Sequence, residues 1–306
     1  MKTFVLAILA ILSMLTELSL AQGKWSLKET EQLPFEPSMR WGTARFSPDG
    51  SKLYLTSQSY NGIWEYTFET RVTRKITADP GSGYAFALSA DGTTLSYRRS
   101  IDGNHPRDRK QEILSVDLRT GVTRKLGSAR TLSAPTFQDS RTVFLEGSTL
   151  RNAPPKNAEV ALLGIDNQKI ALLVGGERKT LDPFENGSYI WPALSPDGKR
   201  LVAYDMDRGA FVCEIHGSAI VRLGRADRPV WTRDGDWLVF FKEENDGHEI
   251  TGSDLYAIHG DGTERTRLTF TPDRIELDPF CSPVDDRIVC RTLDGKILVF
   301  TYEVHP

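Results

Sequence analysis

Residues able to do chemistry are plentiful in this chain but seldom arranged for it. Five histidines, His105, His216, His248, His259 and His305, stand at no spacing that zinc sites use. No Gly-x-Ser-x-Gly elbow and no phosphate-cradling glycine loop is present, so no nucleophile-elbow hydrolase or P-loop enzyme is indicated. Charge gathers instead in two segments. One is basic: Arg98, Arg99, His105, Arg107, Arg109 and Lys110, with Arg151 and Lys156 further along. The other is acidic: Glu243, Glu244, Asp246, His248 and Glu249. Oxygen-rich sites suit Ca²⁺, and Asp246 and Glu249 are the first pair that such a site would draw on. Asp205, Glu276 and Asp278 are the candidates from elsewhere in the chain. No cofactor is required by any of this. Cys281 and Cys290 flank a turn and are either bridged or, with Cys213, small buried side chains.

The elements that must carry these residues announce themselves by repetition. Phe46-Ser47-Pro48-Asp49-Gly50, Leu88-Ser89-Ala90-Asp91-Gly92, Leu194-Ser195-Pro196-Asp197-Gly198 and Trp231-Thr232-Arg233-Asp234-Gly235 share one turn, and weaker copies surround Asp139 and Asp285. The mean spacing of those aspartates is (285 − 49)/5, about 47 residues, a period typical of radial repeats. In such a turn proline presets φ, aspartate accepts from nearby backbone N–H groups and glycine takes positive φ. That turn chemistry accounts for the aspartates without a metal. Short β-rich segments follow each turn, which predicts an all-β protein: a six-bladed β-propeller of four-stranded antiparallel blades. The expected blades run over 38–79, 80–129, 130–182, 183–224, 225–270 and 271–304, with strand 24–30 completing the last and removing the ring's exposed edges. Trp41, Trp191, Trp231 and Trp237 sit at strand positions expected to pack between blades.

On these motifs the chain resembles the TolB-type propeller family, also described as WD40-like PD40 repeats. Residues 225–270 carry the resemblance best, in Pro229-Val230-Trp231, Asp234-Gly235, Asp254-Leu255-Tyr256-Ala257-Ile258 and Arg267-Leu268-Thr269. The resemblance implies a propeller without the additional N-terminal domain of TolB, and a role in binding a protein or peptide. Phe46-Ser47-Pro48-Asp49-Gly50 with Leu53-Tyr54-Leu55 is also similar to gluconolactonase-like propellers. That second likeness implies an enzyme acting on a lactone, sugar or polysaccharide fragment, with a divalent metal in the channel.

Met1-Lys2-Thr3, the apolar run from Phe4 and the small residues Ser19 and Ala21 read as a signal peptide over 1–21. The expected mature chain, 22–306, is a secreted or periplasmic single domain with no membrane span, and Asn186-Gly187-Ser188 is a glycosylation sequon. A net charge of −3 speaks against a nucleic-acid partner. The long second-to-third-strand loops, which hold the basic and acidic segments, are expected on the face opposite the Asp-Gly turns. Loops on a rigid scaffold tend to carry function, which makes Arg98, Arg99, His105, Arg107, Arg109, Arg151, Glu243, Asp246, His248 and Glu249 the expected partner-binding set.

Overall fold

The computed structural model describes residues 25–305 apart from 37, 104, 139 and 153–159, so the signal segment expected over 1–21 lies outside the described residues. Among the described residues twenty-six strands form seven antiparallel sheets. Blade 1 is β2 (Trp41–Phe46), β3 (Lys52–Ser57), β4 (Ile63–Thr67) and β5 (Val72–Thr77). Blade 2 is β6 (Phe86–Leu88), β7 (Thr94–Ile101), β8 (Lys110–Asp117) and β9 (Thr123–Ala129). Blade 3 is β10 (Thr136–Gln138), β11 (Arg141–Glu146) and β12 (Thr149–Arg151). Blade 4 is β13 (Ala161–Asp166), β14 (Lys169–Val174) and β15 (Glu177–Leu181). Blade 5 is β16 (Tyr189–Leu194), β17 (Arg200–Asp205), β18 (Gly209–Glu214) and β19 (Val221–Gly224). Blade 6 is β20 (Asp227–Trp231), β21 (Trp237–Asn245), β22 (Ile250–His259) and β23 (Thr266–Arg267). Blade 7 is β24 (Glu276–Cys281), β25 (Arg287–Thr292) and β26 (Ile297–Val304), with β1 (Trp25–Gln32) paired outside β26.

The propeller therefore has seven blades, not the six expected from the turns. The first strand of each blade lies beside that of the next, from β6 through β10, β13, β16, β20 and β24 to β2. Arg45 on β2 then meets Phe86 on β6 and completes the circuit. The error lies in the unit expected over 130–182, which is two compact blades of three described strands each. Blade 4 escapes notice because it joins β13 to β14 without the Asp-Gly turn. Asp166 pairs with Lys169 across a two-residue loop, Asn167-Gln168, in which both residues have positive φ (48° and 67°). That is the tight hairpin geometry whose twist matches the flanking strands.

Where the Asp-Gly turn occurs, it is built alike each time. Ser47 Oγ donates to Asp49 Oδ1 at 2.6 Å, the Ser51 amide donates to the same oxygen at 3.1 Å, and Gly50 takes φ 69°. Ser89–Asp91 and Ser195–Asp197 repeat the contact at 2.6 Å, and Thr232–Asp234 at 2.5 Å. The Ser hydroxyls hold Asp49, Asp91 and Asp197 below the ordinary aspartate pKa.

Apolar residues on alternate strand positions fill the space between neighbouring blades. Trp25, Trp237, Leu255, Leu277 and Tyr302 form one such layer between blades 6 and 7, and Trp41, Phe46, Leu55, Val289 and Val299 form another between blades 7 and 1. Among the described residues no helix is long and apolar enough to cross a membrane.

Candidate functional site

Each propeller blade offers its first strand to the central channel, so the residues along those seven strands determine what the channel can bind. The strands are not regular. Register breaks fall between Ile190 and Ala193 on β16, Asp227 and Val230 on β20, and Leu277 and Phe280 on β24. At each break an X-Pro pair sits in the bulge, and the residue before proline has positive φ: Trp191 at 52°, Arg228 at 46° and Asp278 at 52°. Bulges re-aim side chains, and positive φ in a residue such as tryptophan costs on the order of 1–3 kcal/mol. The three bulges bring a matched row together across blades 5 to 7. Arg228 Nη1 donates to Asp278 Oδ1 at 2.7 Å, Arg291 Nε donates to Asp278 Oδ2 at 2.7 Å, and the Arg228 guanidinium lies 5.8 Å from the Trp191 ring.

Two cavities meet at one further arginine. The first, about 500 Å³, opens among the Asp-Gly turns and is walled by blades 1, 2, 5, 6 and 7, with Phe46, Leu88, Leu194, Val230 and Phe280 on its sides and Pro48, Pro196 and Pro283 at its rim. The second, about 660 Å³, lies among blades 1 to 5 and takes in Tyr84, Arg98, Thr136, Leu162 and Asp166. Arg45 lines both. Its guanidinium sits 5.1 Å from the Phe86 ring and 5.9 Å from that of Phe280, and it makes one long hydrogen bond, to the Phe86 carbonyl at 3.4 Å. Burial pushes its pKa down, Arg228 pushes the same way, and Asp278 opposes both.

No protein-family profile matches the chain, and no curated protein does. Solved structures do. The chain is similar to TolB from Acinetobacter baumannii at 18% identity and TM-score 0.52, over 75% of this chain and 54% of that one. It thus spans about half of TolB. The β-propeller domain of Cps50 (Swd1) from Myceliophteria thermophila aligns at 12% identity and TM-score 0.61, covering 90% of this chain and 99% of that one. An oligogalacturonate lyase in complex with manganese aligns at 15% identity and TM-score 0.50, covering 87% and 78%. The shared feature is the β-propeller. At these identities the likeness is one of fold alone, and fold does not select among functions.

Within the propeller, the residues expected to bind from the loops are dispersed, and most are engaged locally. Arg99 donates to Glu112 at 3.0 and 2.7 Å and to Asp79 at 3.2 Å, tying β7 to β8 and to the connection from blade 1. Arg151 pairs with Glu146 at 2.7 Å, Arg109 stands 3.9 Å from Asp102, and Glu243 lies 3.8 Å from Arg225. Arg107 falls in a short 3-10 turn, Pro106–Asp108, and like His105 and Lys110 it is exposed. Lys156 lies outside the described residues. Asp246 accepts the amides of His248 at 2.9 Å and Glu249 at 2.8 Å, which caps its own hairpin loop, while His248 and Glu249 are exposed. Arg98 alone of this set reaches a cavity wall.

The acidic candidates from other blades are likewise committed. Asp205 accepts the Arg208 guanidinium at 3.1 Å and several amides, Asp278 holds its two arginines, and Glu276 Oε1 accepts Thr271 Oγ1 at 2.6 Å while its buried Oε2 has no hydrogen-bond partner. Among the described residues no group of three or more His, Cys, Asp or Glu is gathered as a metal site. The Cys281–Cys290 bridge is not formed. Cys281 is paired with Ile288 and Cys290 with Leu298, and both are buried free thiols with pKa values raised by burial. Sequence reasoning missed Arg45, Arg228 and Arg291. The X-Pro pairs Trp191-Pro192, Arg228-Pro229 and Asp278-Pro279 mark the bulges and could have drawn attention to Arg228 and Asp278, whereas nothing of the kind marks Arg45 or Arg291.

Proposed function

We propose that this chain is an exported, non-catalytic binding protein whose central channel, entered from the Asp-Gly turn side, receives a segment of a protein or peptide partner. The observation that carries this reading is the apolar mouth. Five blades contribute to it, the apolar walls Phe46, Leu88, Leu194, Val230 and Phe280 are all on strands, and the cavity is open before any partner arrives. A rigid apolar cup with one cation below suits an extended segment that presents apolar side chains and an anionic group. The export half of the reading rests on the layout of residues 1–21. The competing reading, a lactone, sugar or polysaccharide-fragment enzyme with a divalent metal in the channel, needs oxygens converging from several blades. Its candidates Asp205 and Asp278 are bound to arginines, and Glu276 keeps one buried oxygen without a partner, but no second blade brings oxygens to it among the described residues.

The test is selection from a random displayed peptide library on the purified protein, repeated with Val230→Arg to close the mouth. Enrichment of apolar sequences by the unaltered protein, lost in a folded Val230→Arg, is the expected result. Enriched peptides that bind both proteins alike would refute the channel as the binding site.

A further inference from the structure

Four charged residues line the two cavities: Arg45, Arg98, Asp166 and Arg233. Two are neutralised, Asp166 by Arg178 and Arg233 by Asp286 at 2.9 Å. Arg45 and Arg98 have no carboxylate partner among the described residues. Arg98 spends Nη1 on the Leu132 carbonyl at 2.5 Å and lies 5.7 Å from the Tyr84 ring. Arg45 spends one donor of five on its long bond to Phe86.

The carboxylate that acts on Arg45, Asp278, makes no hydrogen bond or ion pair with it among the described residues. Each Asp278 oxygen is already taken at 2.7 Å, by Arg228 and by Arg291, so that group of two cations and one anion adds a net positive charge beside Arg45. Arg45 is half-buried, and a cation partly withdrawn from water with no anion beside it carries a cost. Arg45 packs on the Phe86 and Phe280 rings and lines the cavity on either side, with four of its five donors unspent. The flanking aromatic rings of Phe86 and Phe280 hold the planar guanidinium in place, which lowers the entropic cost of using its forked donors.

We infer that Arg45 is the anchor of a carboxylate-binding site at the waist of the channel, taking an organic carboxylate whose apolar body lies in the mouth formed by Leu88, Leu194, Val230 and Phe280. This deepens the proposed function by naming the group recognised, and it rests on that reading only for the source of the carboxylate. A free phosphate or a nucleic acid would bring no apolar body to fill the mouth. An acidic side chain in an apolar peptide and a small aryl-alkanoic acid both would.

The probes are 4-phenylbutyrate, its neutral amide, inorganic phosphate, and two apolar pentapeptides that differ only in Asp against Asn. Binding is read by the rise in melting temperature with ligand concentration. The acid should bind about ten- to a hundredfold more tightly than the amide, the range expected for a charge-assisted pair. A folded Arg45→Met should lose that preference, and Arg45→Lys should keep a reduced one. Equal binding of acid and amide, a preference that survives in Arg45→Met, or phosphate binding as well as the acid would each overturn the inference. The acid–amide comparison in the unaltered protein decides even if neither variant folds. If the acid is preferred but neither peptide binds, the carboxylate site stands and the peptide reading fails. If both peptides bind alike and the acid shows no advantage, the reverse holds.

Discussion

At the scale of single residues, the channel depends on one aspartate serving two arginines. Asp278 is buried, its backbone is at φ 52°, and each of its oxygens accepts one guanidinium. Asparagine tolerates that backbone conformation nearly as well as aspartate does, so Asp278→Asn removes the charge with little added strain. Arg228 and Arg291 would then share that position with no anion between them, and Arg45 would lose the one carboxylate that acts on it. Breaking a buried pair from one side costs up to about 3–5 kcal/mol, and the partial exposure of Arg228 reduces this to about 2–3 kcal/mol. Urea unfolding should show that loss, and adding Arg228→Met to Asp278→Asn should recover part of it by removing the repulsion. Full stability in Asp278→Asn would mean that the arginines are held by something other than this carboxylate.

At the scale of elements, neighbouring blades are tied by a repeated arginine. Arg200 opens β17 and reaches across to blade 6, where Nη2 donates to the Gly235 carbonyl at 2.6 Å and the guanidinium lies 4.9 Å from the Trp231 ring. Arg287 opens β25 and does the same toward blade 1, with 2.6 Å to the Gly50 carbonyl and 5.0 Å to the Phe46 ring. Each tie joins the start of a second strand to the Asp-Gly turn of the next blade. Losing one should cost about 1.5–3 kcal/mol, the range for hydrogen bonds to a charged group. Lysine cannot replace the flat, stacked fork, so Arg287→Lys should recover little of the loss in Arg287→Ala. The two junctions share no partner, so the Arg200→Ala and Arg287→Ala losses should add in the double variant; strong non-additivity in urea titrations would sink the picture of independent ties. Blades with the Asp-Gly turn were legible in the sequence because every residue of that turn has a conformational job. Blade 4 was not, because Asn167 and Gln168 make their tight turn without the glycine or aspartate that marks the others. The channel was less legible still. Arg45, Arg228, Asp278 and Arg291 come from three blades, and none has a neighbour in sequence that hints at its partner in space.

At the scale of the molecule, what distinguishes a ring from an open stack of blades is the return of the chain to its start. β1 pairs with β26 from Trp25 opposite Val304 to Gln32 opposite Leu298, and it covers an edge that would otherwise offer unpaired backbone groups. Trp25 is the anchor of that strand. It stacks on Tyr302 at 4.6 Å within blade 7 and meets the edge of Trp237 in blade 6 at 5.5 Å. In a linear array each repeat touches only its neighbours, so weakening a terminal strand frays that end and leaves the rest folded. In a closed ring the last blade is also a support for the first, here through the packing of Val289 and Val299 against Trp41 and Phe46. Trp25→Ala removes a large buried side chain and should cost about 3–5 kcal/mol. Ring closure predicts that this loss moves the single unfolding transition of the whole protein to lower urea with its slope unchanged. A separate, shallow early transition, with the main one left in place, would instead show that blade 7 frays alone and that closure contributes little to the cooperativity of the propeller.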